Sequence, residues 1–161
     1  MVASSASAVQ ILGSVGVRPS AGTVAPRRNG GDHAGMDRPT VLIVDDHAGF
    51  RAHARELLAS GGFEIVAEAA NGRTAIELTG RFDPTMVLLD VQLPDLDGFA
   101  VAREIVDGPS AAAVVLVSTR DAADYGRRPA DCGAVGFISK SRLSGDTLRA
   151  ILRESAKEGS R

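Results

Sequence analysis

The sequence contains a single cysteine, Cys132, among its 161 residues. An intrachain disulfide is therefore excluded, which fits a reducing cytoplasm, where disulfides are rare. Asp131 and Gly133 flank Cys132 and indicate a turn, and no histidine stands near it in the sequence. We therefore predict that Cys132 is a small structural side chain and not a reactive thiol.

Long apolar runs and an excess of positive charge are also missing. No stretch approaches the roughly 18 apolar residues of a membrane-spanning helix, so no membrane segment is expected. Residues 1–38 hold four of the 18 basic residues and two of the 20 acidic residues. Residues 39–161 therefore hold 14 basic and 18 acidic residues, a net charge of -4. This balance disfavours direct binding of nucleic acid. The 44% content of hydrophobic residues suits one globular domain with a substantial core.

Residues 1–38 have the composition of a tail. Ser, Ala, Gly, Val and Pro dominate this segment. Its apolar piece, residues 8–12, is too short for a core helix and lacks the basic flank of a signal peptide, because the first arginine is Arg18. We predict a disordered tail over residues 1–38, one domain over residues 39–158, and no output domain after it.

Apolar strands and amphipathic helices alternate five times along the predicted domain. This pattern predicts an α/β fold, a doubly wound five-stranded parallel sheet with helices on both faces. Gly126 and Pro129 are poor helix formers, so the fourth helix should be short or frayed. The predicted strands span residues 41–44, 63–69, 85–90, 112–117 and 134–138, and the predicted helices span residues 47–60, 73–81, 98–106, 121–131 and 144–157.

Polar side chains stand at the carboxyl ends of four predicted strands. If the strand order is 2-1-3-4-5, those ends share one edge, and strands one and three are neighbours at the switch point where such folds bind ligands. Three aspartates would then converge. Because close carboxylates repel each other, we expect a hard divalent cation such as Mg²⁺ to neutralise them. The polar residues are Asp45, Asp46, Asp90, Ser118, Thr119 and Lys140.

Asp90 is the carboxylate in this group that we expect to react. It ends the apolar run of residues 85–90 and precedes a turn rich in Pro, Asp and Gly. The Lys140 ammonium would bring a compact positive charge to a phosphoryl group, and the Ser118 hydroxyl would add a donor. A cation, a lysine and a hydroxyl around one carboxylate predict phosphoryl transfer onto Asp90, which would form an acyl phosphate.

Four blocks of the sequence, in the same order and register, resemble the receiver domain of two-component response regulators. The resemblance covers residues 39–154, the whole predicted domain apart from its last few residues. It implies a flavodoxin-like receiver fold with the strand order 2-1-3-4-5, and a signalling domain, not an enzyme. The blocks are VLIVDD at 41–46, LLDVQLPDLDG at 88–98, VLVS at 115–118 and GFISK at 136–140.

The resemblance implies a role for each acidic residue of the group. Asp45 and Asp46 match the acidic pair that holds Mg²⁺ in the family, and Asp90 matches the phosphoacceptor, which also binds the metal. Gln92 occupies the position that supplies a metal ligand through its backbone carbonyl. The side chain at Gln92 is therefore free to vary.

The remaining matches concern the phosphoryl group and the response to it. Ser118 matches the hydroxyl that follows the phosphoryl group, Lys140 matches the lysine that pairs with it, and Phe137 matches the aromatic switch position. The family often has a cis proline after the lysine, whereas this chain has Ser141. Because a cis bond before a residue other than proline costs about 2.5–4 kcal/mol, we expect a trans bond or a reshaped loop there.

The resemblance also implies partners. A sensor histidine kinase or a phosphotransfer protein would donate the phosphoryl group, and a downstream protein partner would receive the signal. Residues 46–51 are similar to receivers that usually precede a helix-turn-helix output domain. We expect no direct contact with nucleic acid or membrane, a cytoplasmic location, and weak homodimerisation on phosphorylation.

Other interpretations remain open from the residues alone. A receiver-like scaffold would bind its partner whether or not Asp90 is phosphorylated. Phe137 could be a plain core residue, and His47 is expected at the surface or at the start of the first helix. A phosphatase that uses Asp90 as nucleophile is disfavoured, because Gln92 stands where a general-acid carboxylate would be needed.

Overall fold

The structure, a computed structural model, describes Val9–Gln10 and residues 38–159. The predicted disorder of residues 1–38 therefore concerns a segment that lies, apart from Val9–Gln10 and Arg38, outside the described residues. Within residues 38–159, strands and helices alternate as predicted. The strands β1 to β5 are Thr40–Val44, Glu64–Ala69, Met86–Asp90, Ala113–Ser118 and Gly136–Ser139, and the helices α1 to α5 are Ala48–Ser60, Gly72–Phe82, Gly98–Asp107, Arg128–Asp131 and Gly145–Gly159.

The five strands form a parallel sheet in the order β2-β1-β3-β4-β5, which confirms the predicted order 2-1-3-4-5. The two-residue strand Val9–Gln10, which the sequence did not predict, pairs antiparallel with the free edge of β2. Val44 lies beside Leu89, and Asp90 lies beside Val117. The carboxyl ends of the central strands are thus level along one edge, where open α/β sheets bind ligands.

The sheet separates two buried hydrophobic clusters. Side chains of a strand alternate between its two faces, so Leu42 and Val44 of β1 enter one cluster, whereas Val41 and Ile43 enter the other. Helices α2 and α3 cover the first cluster, and helices α1 and α5 cover the second. Cys132 is buried in the first cluster, which confirms its predicted structural role.

Helices α2 and α3 begin at side-chain caps, and both helices start near the edge of the sheet that carries the site. The Asn71 side chain accepts a hydrogen bond from the Thr74 N–H at the start of α2 (2.9 Å). Asp97 accepts a hydrogen bond from the Phe99 N–H at the start of α3 (3.0 Å). Gly98 packs so closely that a Cβ there would lie 2.5 Å from the carbonyl oxygen of Val91. Only glycine lets α3 start this near the end of β3.

The segment between β4 and β5 is short and irregular, as predicted. A 3₁₀ turn over Ala122–Tyr125 is followed by Gly126 at φ 66° and by the four-residue helix α4. Cis peptide bonds are absent from the described residues, so the bond between Lys140 and Ser141 is trans, as expected. In the same part of the chain, each helix is too short or too polar to cross a membrane.

Candidate functional site

Polar residues that follow β1, β3, β4 and β5 meet in one cleft at the carboxyl edge of the sheet. The cleft has a volume of about 260 Å³. Asp45 is fully buried and does not line the cleft, whereas Asp46 reaches solvent. The sheet register explains the convergence, since β1 and β3 are neighbours, Asp45 directly follows β1, and β3 ends in Asp90. The polar residues that line the cleft are Asp46, His47, Asp90, Gln92, Thr119 and Lys140.

The two oxygens of Asp45 have different surroundings. Oδ1 accepts a hydrogen bond from the His47 N–H at 2.8 Å. Oδ2 lies 2.6 Å from Nζ of Lys140 as an ion pair, yet none of its contacts among the described residues has the geometry of a hydrogen bond. A fully buried carboxylate oxygen without a hydrogen bond is costly unless a cation neutralises it. The Lys140 ammonium supplies that positive charge here.

Asp90 sits at the end of β3, almost fully buried. Its Oδ1 accepts a hydrogen bond from the Gln92 N–H at 3.2 Å, and its Oδ2 lies 3.4 Å from Nζ of Lys140. Burial, together with the negative charge of Asp45, raises the pKa of Asp90 from 3.8 to about 6, although Lys140 and the Gln92 N–H favour the ionised form. The site thus concentrates negative charge that one lysine only partly offsets.

The residues present fit a divalent cation. Asp45, Asp46, His47 and Asp90 each offer a ligand atom, and these atoms lie within 4.8 Å of one another. Carboxylate oxygens are the ligands that Mg²⁺ prefers, usually with several waters completing its shell. The structure therefore brings the three predicted acidic ligands together. Gln92 contributes its N–H to Asp90, while metal binding by its carbonyl stays a prediction.

His47 caps the start of α1, as expected, but it is also part of the acidic cluster. Its Nδ1 lies 3.2 Å from an oxygen of Asp45 and 3.2 Å from an oxygen of Asp46, while 71% of its side chain is exposed. The contact of His47 with the two aspartates was not predicted from the sequence. The position directly after the acidic pair was the available signal.

Lys140 links the two buried acids. Its ammonium lies 2.6 Å from Asp45 and 3.4 Å from Asp90, and it stands 4.5 Å from the centre of the Phe50 ring. The lysine follows β5 directly, so the sheet edge fixes its backbone while four methylene groups leave its ammonium free to move. Lys140 is thus placed as predicted, and it neutralises part of the acidic charge.

Ser118 ends β4 and is buried, but its hydroxyl is engaged away from the acids. Its Oγ accepts a hydrogen bond from the Arg120 N–H at 3.0 Å and lies 2.9 Å from the hydroxyl oxygen of Tyr125. Phe137 is half-buried, and its ring packs against the Tyr125 ring with 5.9 Å between the centroids. Sequence analysis did not single out Tyr125, because no periodic pattern places an irregular segment over a strand end.

A comparison with protein-family models matches residues 41–153 to the response regulator receiver domain. The matched span contains all of the acidic, hydroxyl and lysine residues that converge at the sheet edge. It begins with β1 and ends within α5, so the family model covers nearly the whole of the domain described above.

Curated relatives and solved structures agree with this match. The chain is 33% identical over 119 residues to the DNA-binding transcriptional activator EvgA of Escherichia coli (strain K12), covering 74% of this chain but only 57% of EvgA. It is 33% identical over 111 residues to the chemotaxis protein CheY of Bacillus subtilis (strain 168), covering 69% of this chain and 92% of CheY. The signal receiver domain of the putative response regulator NarL from Mycobacterium tuberculosis superimposes with a TM-score of 0.67 at 30% identity, covering 73% and 95% of the two chains.

Proposed function

Because this chain belongs to the receiver domain family of two-component response regulators, we propose that Asp90 accepts a phosphoryl group from a sensor histidine kinase or a phosphotransfer protein. The observation that supports this most directly is the position of Asp90. It is buried at a strand end, 3.4 Å from the Lys140 ammonium, and it shares a cluster of ligand atoms with Asp45 and Asp46. The domain would therefore work as a signalling switch whose input is phosphorylation.

Mg²⁺ belongs to this proposal as the cofactor. Asp45, Asp46 and Asp90 would hold it, together with the backbone carbonyl of Gln92. When bound, the ion would neutralise charge on the phosphoryl oxygens during transfer. The grouping of their carboxylate oxygens, which lie within 4.8 Å of one another, supports a cation at this position.

The transfer exchanges one bond to phosphorus for another. A carboxylate oxygen of Asp90 bonds to phosphorus while the bond from phosphorus to the donor's imidazole nitrogen breaks, and the imidazole leaves with that electron pair. The Lys140 ammonium, already 3.4 Å from Asp90, needs only a small movement to contact the new phosphoryl oxygens. The Ser118 hydroxyl would then turn to donate a hydrogen bond to them.

The phosphorylated domain would act through a downstream protein partner. EvgA is a DNA-binding activator, but this chain spans only 57% of its length, and residues 39–161 carry a net negative charge. A protein surface is therefore a better match for this domain than DNA. A cytoplasmic location and weak homodimerisation on phosphorylation complete the proposal.

Incubation with acetyl phosphate and Mg²⁺ tests the proposal. Intact-mass spectrometry should show one added phosphoryl group on the wild type, lost on mild acid or hydroxylamine treatment, as an acyl phosphate requires. Asp90→Asn, which removes the nucleophile, and EDTA, which removes the metal, should each abolish the addition. Asp107→Asn, which changes an exposed carboxylate on α3, is the matched control and should be phosphorylated like the wild type.

Two results would contradict the proposal. One is an unmodified wild-type protein after incubation with both acetyl phosphate and a histidine kinase. The other is a phosphorylated Asp90→Asn variant. Equal partner affinity for the wild type and Asp90→Asn would instead favour the receiver-like scaffold that acts without phosphorylation.

A further inference from the structure

The hydroxyl of Ser118 has two hydrogen-bond partners among the described residues, and neither is Asp90. Its Oγ accepts from the Arg120 N–H (3.0 Å) and shares a hydrogen bond with the hydroxyl of Tyr125 (2.9 Å). A serine hydroxyl can donate one hydrogen bond and accept two, so these two contacts use most of its hydrogen-bonding capacity. Rotation of Ser118 toward a phosphoryl group on Asp90 would break the bond with Tyr125.

The ring of Tyr125 joins three parts of the domain. It packs edge-on against Phe99 at the start of α3, with 5.3 Å between centroids, and against Phe137 on β5, with 5.9 Å. Its hydroxyl reaches Ser118 at the end of β4. Phe137 has no hydroxyl, and its ring packs against the Tyr125 ring. Tyr125 is thus the aromatic residue in direct contact with the hydroxyl that must move.

Tyr125 also belongs to a segment with little burial. No residue of the 3₁₀ turn Ala122–Tyr125 or of α4 is fully buried, and the aromatic contacts of this segment with the core are those of the Tyr125 ring itself. Arg128 attaches it to α3 through an ion pair with Asp97 and through the Phe99 ring, 4.5 Å from the guanidinium. Arg103 of α3 also donates a hydrogen bond to the Asp131 carbonyl oxygen. The hydrogen bond between Tyr125 and Ser118 is the contact that joins the segment to the end of β4.

We infer that Tyr125 is a positioning residue, which holds the Ser118 hydroxyl in its unphosphorylated orientation and ties the segment over residues 122–131 to that orientation. This inference rests on the proposed function, since it supplies the route from phosphorylated Asp90 to the surface. When Ser118 turns to the phosphoryl group, Tyr125 loses its partner and the segment is released. By linkage, weakening the bond between Ser118 and Tyr125 must favour the phosphorylated state.

The composition of the chain supplies a direct probe. Tyr125 is its only tyrosine, and it has no tryptophan, so tyrosine fluorescence reports on this side chain alone. The full chain is titrated with beryllofluoride, a phosphoryl mimic, in the presence of Mg²⁺. Tyrosine emission should change as beryllofluoride binds the wild type. In Ser118→Ala the free protein should already show the altered emission, whereas Ser155→Ala, a distant serine on α5, should behave as the wild type.

Tyr125→Phe keeps the ring and removes the hydroxyl. Because one hydrogen bond is lost only from the unphosphorylated state, calorimetry should show beryllofluoride binding about two- to tenfold more tightly to Tyr125→Phe than to the wild type. A purely structural role predicts a changed unfolding temperature with unchanged beryllofluoride affinity, so the affinity separates the two. Should Tyr125→Phe fail to fold, the wild-type emission still decides the matter.

The outcomes separate this inference from the proposed function. If Asp90 is phosphorylated and binds beryllofluoride, but wild-type emission stays constant or Tyr125→Phe binds with wild-type affinity, the role of Tyr125 is overturned while the proposed function stands. If Asp90 takes up neither group, both are overturned. A change in emission together with tighter binding to Tyr125→Phe supports both.

Discussion

Asp45 and Asp90 share a single lysine across the end of the sheet. The Lys140 ammonium lies 2.6 Å from one carboxylate and 3.4 Å from the other, so one positive charge is shared by two buried acids. Burial and the charge of Asp45 together raise the pKa of Asp90 to about 6. Because protons and a divalent cation compete for the same oxygens, cation binding should strengthen as the pH rises through this value.

Asp90→Asn should stabilise the metal-free domain near neutral pH and lose this advantage in acid. With its pKa raised from 3.8 to about 6, folded Asp90 keeps a proton that the unfolded chain has lost. The stability due to this protonation is fully present below about pH 4 and is lost as the pH rises through about 6. Urea unfolding in EDTA at about pH 7.5 and at about pH 4 measures the difference between the wild type and Asp90→Asn.

Asp107→Asn controls for the loss of a carboxylate in general, because Asp107 is exposed on α3. Its free energy of unfolding should follow that of the wild type at both pH values. An advantage of Asp90→Asn that is the same in acid and at neutral pH would show that burial of charge is not its cause.

Most of the site's residues, but not their contacts, could be predicted from the sequence. Asp45, Asp90 and Lys140 each end an apolar run, and parallel strands bring such ends to one edge. Tyr125 stands in an irregular segment, so its contact with Ser118 depends on how that segment folds back over the sheet. The periodicity of apolar residues predicts strands and helices, but it does not predict where an irregular segment packs against the sheet.

At the scale of elements, a buried ion-pair network fixes the junction between β1 and α1. Arg51 donates from Nη1 to the Asp45 carbonyl (2.8 Å) and from Nε to Glu68 on β2 (3.1 Å). Arg55 contacts the other oxygen of Glu68, which is only 1% exposed. Two arginines from one helix and one glutamate from the edge strand therefore hold the backbone that carries the acidic pair.

Glu68→Ala should lower the free energy of unfolding by about 3–5 kcal/mol, because it leaves the buried guanidinium of Arg51 without its anionic partner. Glu64→Ala is the matched control, since Glu64 lies on the same strand but is exposed. Urea unfolding at neutral pH gives both values. A loss after Glu68→Ala no larger than that after Glu64→Ala would show that the network contributes little.

The sequence predicted some elements better than others for identifiable reasons. The shortness of α4 was predictable because Gly126 and Pro129 disfavour a helix through their own backbone properties, whatever packs around them. The burial of Glu68 was not predictable. The alternation of apolar and polar residues along β2 does not show that two arginines of α1 pair with this glutamate. The pairing of Val9–Gln10 with β2 was missed because two residues carry no periodic signal.

At the scale of the whole molecule, the described core is built within residues 41–148. Both buried clusters take all of their members from this span, one on each face of the sheet. The fold class was predictable because β1 and β3, buried on both faces, appear in the sequence as unbroken apolar runs. The same span contains all of the predicted site residues, so the core and the switch belong to one unit.

A shortened variant that begins at Met36 should fold and accept phosphate on Asp90 like the full chain. The described contact that it loses is the pairing of Val9–Gln10 with Ala69 and Glu68, whose few hydrogen bonds contribute about 0.5–1.5 kcal/mol each. The unfolding temperature should therefore fall by no more than about 10 °C. Gln10→Pro in the full chain, which disfavours a paired strand at this position, should give a smaller fall in the same direction. Calorimetry and intact-mass spectrometry after acetyl phosphate treatment measure both properties, and loss of folding or of phosphorylation in the shortened variant would show that the domain needs residues before Met36.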